Sequence, residues 1–160
     1  MFSIGDKVVH PLHGAGVIEE ITQERLAGGL GRYYVFRLSA GGLTLKIPTE
    51  NYGAVGLRHL LSREKMEELL KKIPALDVEM TNNWNRRYRE NMEKLKSGDL
   101  LEVARVIKGL VLREAKQGLS TGERKMLHSA KQVLLSELMF VKEVTYEVAE
   151  KLLQSVMMEN

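Results

Sequence analysis

The hydrophobic pattern changes period close to residue 60. Before it, apolar residues come in short alternating runs broken by glycine and proline; after it, they recur at steps of three and four. The first pattern predicts strands and the second predicts helices. Lys7–His10 predicts a first strand, closed by Pro11 and by Gly14 and Gly16, and residues 17–25 predict a second. Gly28-Gly29-Leu30-Gly31 reads as a hairpin tip, and residues 32–38 (RYYVFRL) as an aromatic-rich third strand. Ala40-Gly41-Gly42 turns the chain into a fourth at 43–47 (LTLKI), which Pro48 ends, and residues 55–57 offer a short fifth. Five short strands without an intervening helix predict a small antiparallel β-barrel of the SH3/Tudor-like type over residues 1–60.

Residues 61–160 read as a compact bundle of about five helices, making the chain an α+β protein of two modules. Ser62 caps a helix to Lys72, with Met66, Leu69, Leu70 and Ile73 inward, and Pro74 breaks it. After a loop at 75–80, a helix starts at Trp84 and runs to about Lys96, where Ser97-Gly98 stops it. Asp99 with Glu102, and Ser120 with Glu123, are capping-box pairs opening two longer stripes. The first runs through Leu100, Val103, Ala104, Ile107, Leu110 and Val111 to a stop at Gly118; the second runs from Met126 to Leu138. Thr145 caps a last helix striped by Val148, Ala149, Leu152, Leu153 and Val156.

Composition narrows the function classes. With 44% apolar residues in 160, the chain can bury a core, and without cysteine it has no disulfide, thiolate nucleophile or cysteine-bound zinc. No apolar run approaches the roughly 20 residues of a membrane span and no signal-peptide pattern opens the chain, so a cytoplasmic protein without membrane contact is expected. The net charge of +3 is unevenly placed. Residues 84–132 carry twelve Lys/Arg against six Asp/Glu, a net of +6, whereas residues 133–160 carry two against five, a net of −3. A cationic stretch of this kind is often a solvated helix face, and it also favours a polyanionic partner.

Within that stretch, Thr81-Asn82-Asn83-Trp84-Asn85-Arg86-Arg87-Tyr88-Arg89 holds the only tryptophan. Helical spacing puts Trp84, Tyr88, Met92 and Leu95 on one stripe, and Arg86, Arg89 and Glu93 on a neighbouring one. Trp84 is then either the first rung of a core stripe or an apolar blade at a helix N-terminus, suited to wedging into a DNA minor groove. Other candidate chemistry is thinner. His10-Pro11-Leu12-His13 has no carboxylate or cysteine beside it and reads as a turn rather than a metal site. The glycine pairs lack the strand–loop–helix setting of a phosphate loop, and His59 and His128 stand in no nucleophile or zinc motif. No enzyme activity, cofactor or small-molecule substrate is expected.

The opening GDKVVHPLHGAGVIE, the segment LTLKIPTEN, and above all TNNWNRRYRENMEKLKSGDL followed by GLSTGERKML resemble the CarD/CdnL family of bacterial transcription regulators. The opening alone is also similar to a module of transcription-repair coupling factors, which are large helicases; this chain has no P-loop. The resemblance implies that the N-terminal module binds the β subunit of RNA polymerase through an edge strand. It implies that the helical module contacts promoter DNA at the upstream edge of the melted region, where a tryptophan wedge stabilises the open complex. Carried over by motif, the wedge is Trp84, the phosphate contacts are Arg86, Arg87 and Arg89, and Lys46 faces the polymerase; Lys125, in GERKML, is a further DNA contact expected beside them. The protein would then be a monomer, associated with the nucleoid through RNA polymerase. His10 stands where relatives often have tyrosine, and Glu24, followed by Arg25, where some have a polymerase-contacting arginine. The alternative from another class is a protein–protein adaptor whose barrel docks a peptide and whose bundle touches no DNA.

Overall fold

A computed structural model describes residues 2–26, 29–39, 41–51 and 56–158. Its strands are β1 (Lys7–His10), β2 (Gly14–Leu26), β3 (Gly29–Leu38), β4 (Thr44–Pro48) and β5 (Arg58–His59). They form one antiparallel sheet in the order β4-β3-β2-β1-β5. The sheet is open, not a closed barrel: β4 and β5 are its edges and do not pair with each other. Phe2, Val8, Ile18, Tyr34, Phe36, Leu38, Ile47 and Leu57 form its core. In β3 the buried residues Tyr34, Phe36 and Leu38 fall at every second position, so the alternation that predicts the strand also supplies the core.

Three boundaries differ from the sequence expectation. The β1–β2 hairpin starts at Gly14, paired with His10, so both expected punctuation glycines lie inside β2. At the other end of β2 the ladder continues through Leu26↔Gly29, and Gly29–Gly31 belong to β3 rather than to a loose tip. Gly28 lies outside the described residues. Main-chain pairing needs no side chain, which is why glycine runs hide ladder ends. The last strand is Arg58–His59, paired with Val9 and Val8, not residues 55–57; of those, Val55 lies outside the described residues and Leu57 is a buried coil residue.

The helices are α1 (Arg63–Lys72), α2 (Trp84–Lys96), α3 (Leu100–Gln117), α4 (Thr121–Lys142) and α5 (Tyr146–Met158). Ser62, Asn83, Asp99 and Ser120 cap the first four through side-chain oxygens. The Asp99 capping box does not close, as Glu102 pairs with Arg105. In the Ser120 box Ser120 Oγ accepts the Glu123 N–H, the Glu123 carboxyl is bonded by the Ser120 main chain, and it also pairs with Arg87. A second core, including Met66, Ile73, Ala104, Ile107, Leu110, Leu134, Leu138 and Leu153, fills the bundle.

Helix α4 also seats the sheet. Ser136 Oγ accepts the Ala15 N–H at 2.8 Å, and the backbone approaches so closely that a Cβ on Gly14 would lie 2.5 Å from that oxygen. Gly14 also has φ +93°, so glycine is required twice over. One residue on, the fully buried Glu137 accepts both guanidinium N–H groups of Arg58, at 2.9 and 2.7 Å, and the Leu61 N–H at 2.8 Å. Lys7 lies over the Phe140 ring at 5.3 Å. The sheet is therefore held on α4 by directed polar contacts.

Candidate nucleic-acid interface

Asn83 starts α2. Its side chain accepts the Arg86 N–H at 3.0 Å, while its own N–H donates to Thr81 Oγ at 3.3 Å. Trp84 is thus the first helical residue, with no preceding turn to cover it, and it is 42% exposed. What covers the rest comes from two places. The indole stacks on Tyr88, with centroids 5.1 Å apart and planes at 20°. It also reaches the start of α4, where its N–H donates to Ser120 Oγ at 3.0 Å. Trp84 and Tyr88 lie over Gly122, where a Cβ would sit 3.7 and 3.6 Å from their rings. The side chain is neither a filled core rung nor free in solvent: one side is fixed to the bundle and the other is open.

The cations divide sharply. Arg86 is exposed and pairs with Glu90 at 2.9 Å, one helical turn on. Arg89 is exposed and, among the described residues, has no ion-pair partner. Lys125 is exposed beside a groove of about 260 Å³ that Tyr88, Met92 and Met126 also line, one turn beyond Gly122, over which the Trp84 ring lies. Arg124, which the sequence reading left out, is exposed on the same turn as Lys125.

Arg87 departs from the expectation of a phosphate contact. It is 3% exposed, and its guanidinium donates to Glu123 through Nε at 2.7 Å and Nη2 at 3.2 Å. Nη1 donates to the Thr81 and Asn82 carbonyls at 3.1 and 3.3 Å. All three nitrogens are committed inside the protein, and reaching a phosphate would leave Glu123, 2% exposed, unpaired. Hydrogen bonding from Arg87 is the main cause that holds the Glu123 carboxyl below its ordinary range, against the opposing effect of burial. The sequence carried a signal for this. Arg87 and Asn91 lie on the same helical arc as Trp84, Tyr88 and Leu95, opposite Arg86 and Arg89, and the buried residues of α2 are Arg87, Asn91 and Leu95.

On the sheet, Lys46 is exposed on edge strand β4 and donates to Glu24 Oε1 at 2.6 Å. Glu24 is thereby the immediate neighbour of Lys46 across the sheet surface. His10 is buried, with its ring 4.6 Å from that of His13. Desolvation first, and the His13 charge second, lower its pKa from 6.5 to about 4. The Leu12 N–H donates to its Nδ1 at 3.1 Å, which requires that nitrogen to be unprotonated. Among the described residues no three His, Cys, Asp or Glu side chains cluster as a metal site, and no helix is long and apolar enough to cross a membrane.

An open antiparallel sheet joined to a helical bundle that carries a half-exposed tryptophan defines an α+β protein of two modules, and two family models match it. The CarD-like/TRCF RID domain covers residues 2–61, and the CarD, C-terminal domain covers residues 60–154. The chain belongs to the CarD family of transcription regulators. It is 32% identical over 145 residues to the Bacillus subtilis (strain 168) protein named "Putative transcription factor YdeB", spanning 91% of this chain and 95% of that one. The solution NMR structure of the 72-residue N-terminal domain of Myxococcus xanthus CarD is similar over 37% of this chain and 79% of its own, at 25% identity and a TM-score of 0.33.

Proposed function

We propose that this protein bridges RNA polymerase and promoter DNA and stabilises the open complex. In this reading residues 1–60 are the polymerase-binding module and residues 61–160 the DNA-binding module. The observation that carries it is the half-exposed Trp84 indole, fixed on one side by Tyr88 and Ser120, on a helix that also exposes Arg86 and Arg89, with Lys125 exposed one turn beyond Gly122. Membership of a transcription-regulator family supports it. Trp84 wedges into the minor groove at the upstream edge of the bubble, where a distorted base step lowers the cost of unstacking. Arg86, Arg89 and Lys125 touch phosphates, which position the protein without reading sequence.

Edge strand β4 pairs with a strand of the polymerase β subunit, so that main-chain bonds supply affinity and Lys46 supplies orientation. The protein performs no chemistry. Contacts made only when the DNA is open shift the population toward the open state by their differential free energy. Two measurements on the purified protein test the reading. It should capture RNA polymerase from cell extract, and its DNA affinity should fall steeply with salt. An adaptor that touches no DNA would show no salt-dependent DNA binding.

A further inference from the structure

We infer that Arg87, Glu123 and Ser120 are positioning residues that set the orientation of the Trp84 indole before DNA arrives. The inference rests on the wedge reading of Trp84 and goes beyond it, because none of the three touches DNA in this account. Ser120 Oγ is fully used. It accepts the indole N–H at 3.0 Å and the Glu123 N–H at 3.2 Å, and its hydroxyl donates to Glu123 Oε1 at 3.3 Å. A hydroxyl has one proton and two lone pairs, so this arrangement fixes the rotor and aims a lone pair at the indole. The Glu123 carboxylate that fixes it is itself fixed by two guanidinium bonds from Arg87.

The same guanidinium ties the Thr81 and Asn82 carbonyls, immediately before the Asn83 cap. The main chain leading into Trp84 and the far end of its ring are therefore anchored to one buried ion pair, joining the starts of α2 and α4. Two consequences follow. The blade enters DNA with its rotamer already chosen, which reduces the entropy lost on insertion. Its N–H is also committed to Ser120, so it offers DNA an apolar face and edge rather than a donor. Such a wedge responds to distortion and unstacking, not to base identity.

Ser120→Gly is the direct test, because glycine retains most of the helix-capping preference while removing the acceptor for the indole. Trp84 is the only tryptophan, so fluorescence of the full-length protein reports the indole alone. Thermal melts establish that each variant is folded. Ser120→Gly should raise quenching of Trp84 by acrylamide and lower its anisotropy. It should also shorten open-complex lifetime by between about twofold and tenfold, the worth of one hydrogen bond. The salt slope of DNA binding should stay at the wild-type value.

Trp84→Phe, which lacks the N–H, should shorten the lifetime too, and adding Ser120→Gly to it should cost nothing further. Glu123→Gln, nearly isosteric, should loosen the indole in the same fluorescence assay. A wild-type lifetime and unchanged fluorescence for folded Ser120→Gly, beside a short lifetime for Trp84→Ala, would overturn the positioning role and leave the wedge standing. A reduced salt slope for Ser120→Gly would overturn it differently, by making Ser120 part of the DNA contact. A wild-type lifetime for Trp84→Ala would overturn both.

Discussion

At the scale of single residues, a cation strengthens DNA binding when it exchanges water and small ions for phosphate. One already committed to a buried carboxylate cannot make that exchange. Arg89→Ala and Lys125→Ala should each weaken binding about equally on unrelated promoters and lower the salt slope by roughly one unit. Arg87→Lys should leave the slope unchanged and instead lower thermal stability, since lysine loses the two-pronged bond to Glu123. Titrating fluorescence anisotropy of labelled DNA at several salt concentrations separates the two classes.

His10 makes a second residue-scale prediction. Its folded pKa is about 4 against 6.5 ordinarily, so the unfolded chain binds the extra proton between those values. The stability associated with neutral His10 is complete above pH 6.5 and is lost as pH falls toward 4, by at most about 3 kcal/mol. Denaturant melts over that range should show the decline, and His10→Gln should flatten it. Residue roles were legible in the sequence only in part. Arg86, Arg87 and Arg89 are the same chemistry within four positions, and only the helical arc shared with Asn91 and Leu95 turns Arg87 inward. Its partner Glu123 lies thirty-six positions away, behind a capping-box pattern that masks it.

Among the elements, β4 is the one whose sequence and position agree most simply. It is short, ends in proline, pairs only with β3, and shows Thr44 and Lys46 on its exposed side. A strand with one free edge can accept another strand without rearrangement. Lys46→Glu should weaken capture of RNA polymerase by more than tenfold, because it reverses one charge and places it beside Glu24. Stability should change by less than about 1 kcal/mol, as the Lys46–Glu24 pair is exposed. A pull-down at wild-type level would reassign the contact. The helix starts were readable because Ser62, Asp99 and Ser120 act locally. The ends of β2, β3 and β5 were not, because pairing partners decide where a ladder stops, and glycine contributes a backbone without an alternating side chain.

For the whole molecule, α4 is the connecting member. Its 22 residues span about 33 Å, with Gly122 and Glu123 at the Trp84 end and Ser136 and Glu137 beneath the sheet. A wedge delivered by a docked sheet acts at an effective concentration set by that connection, so its rigidity matters. Glu137→Ala should cost about 2–3 kcal/mol, less than fully orphaning a buried charge because Arg58 partly reaches solvent. It should also speed hydrogen exchange at the Leu61 N–H selectively. Nothing in the local pattern foretold this seat: Ser136 and Glu137 sit within an apolar stripe, and their partners, Ala15 and Arg58, belong to the sheet. The central claim remains that Trp84 holds promoter DNA open, and the rate at which open complexes decay after a competitor challenge tests it most directly. Wild-type protein should lengthen the lifetime, and Trp84→Ala should return it to nearly that of polymerase alone while costing only about 1–2 kcal/mol in the melt. That cost is below the 3–5 kcal/mol of an emptied aromatic core site. A folded Trp84→Ala protein that prolongs the open complex as well as wild type would contradict the account.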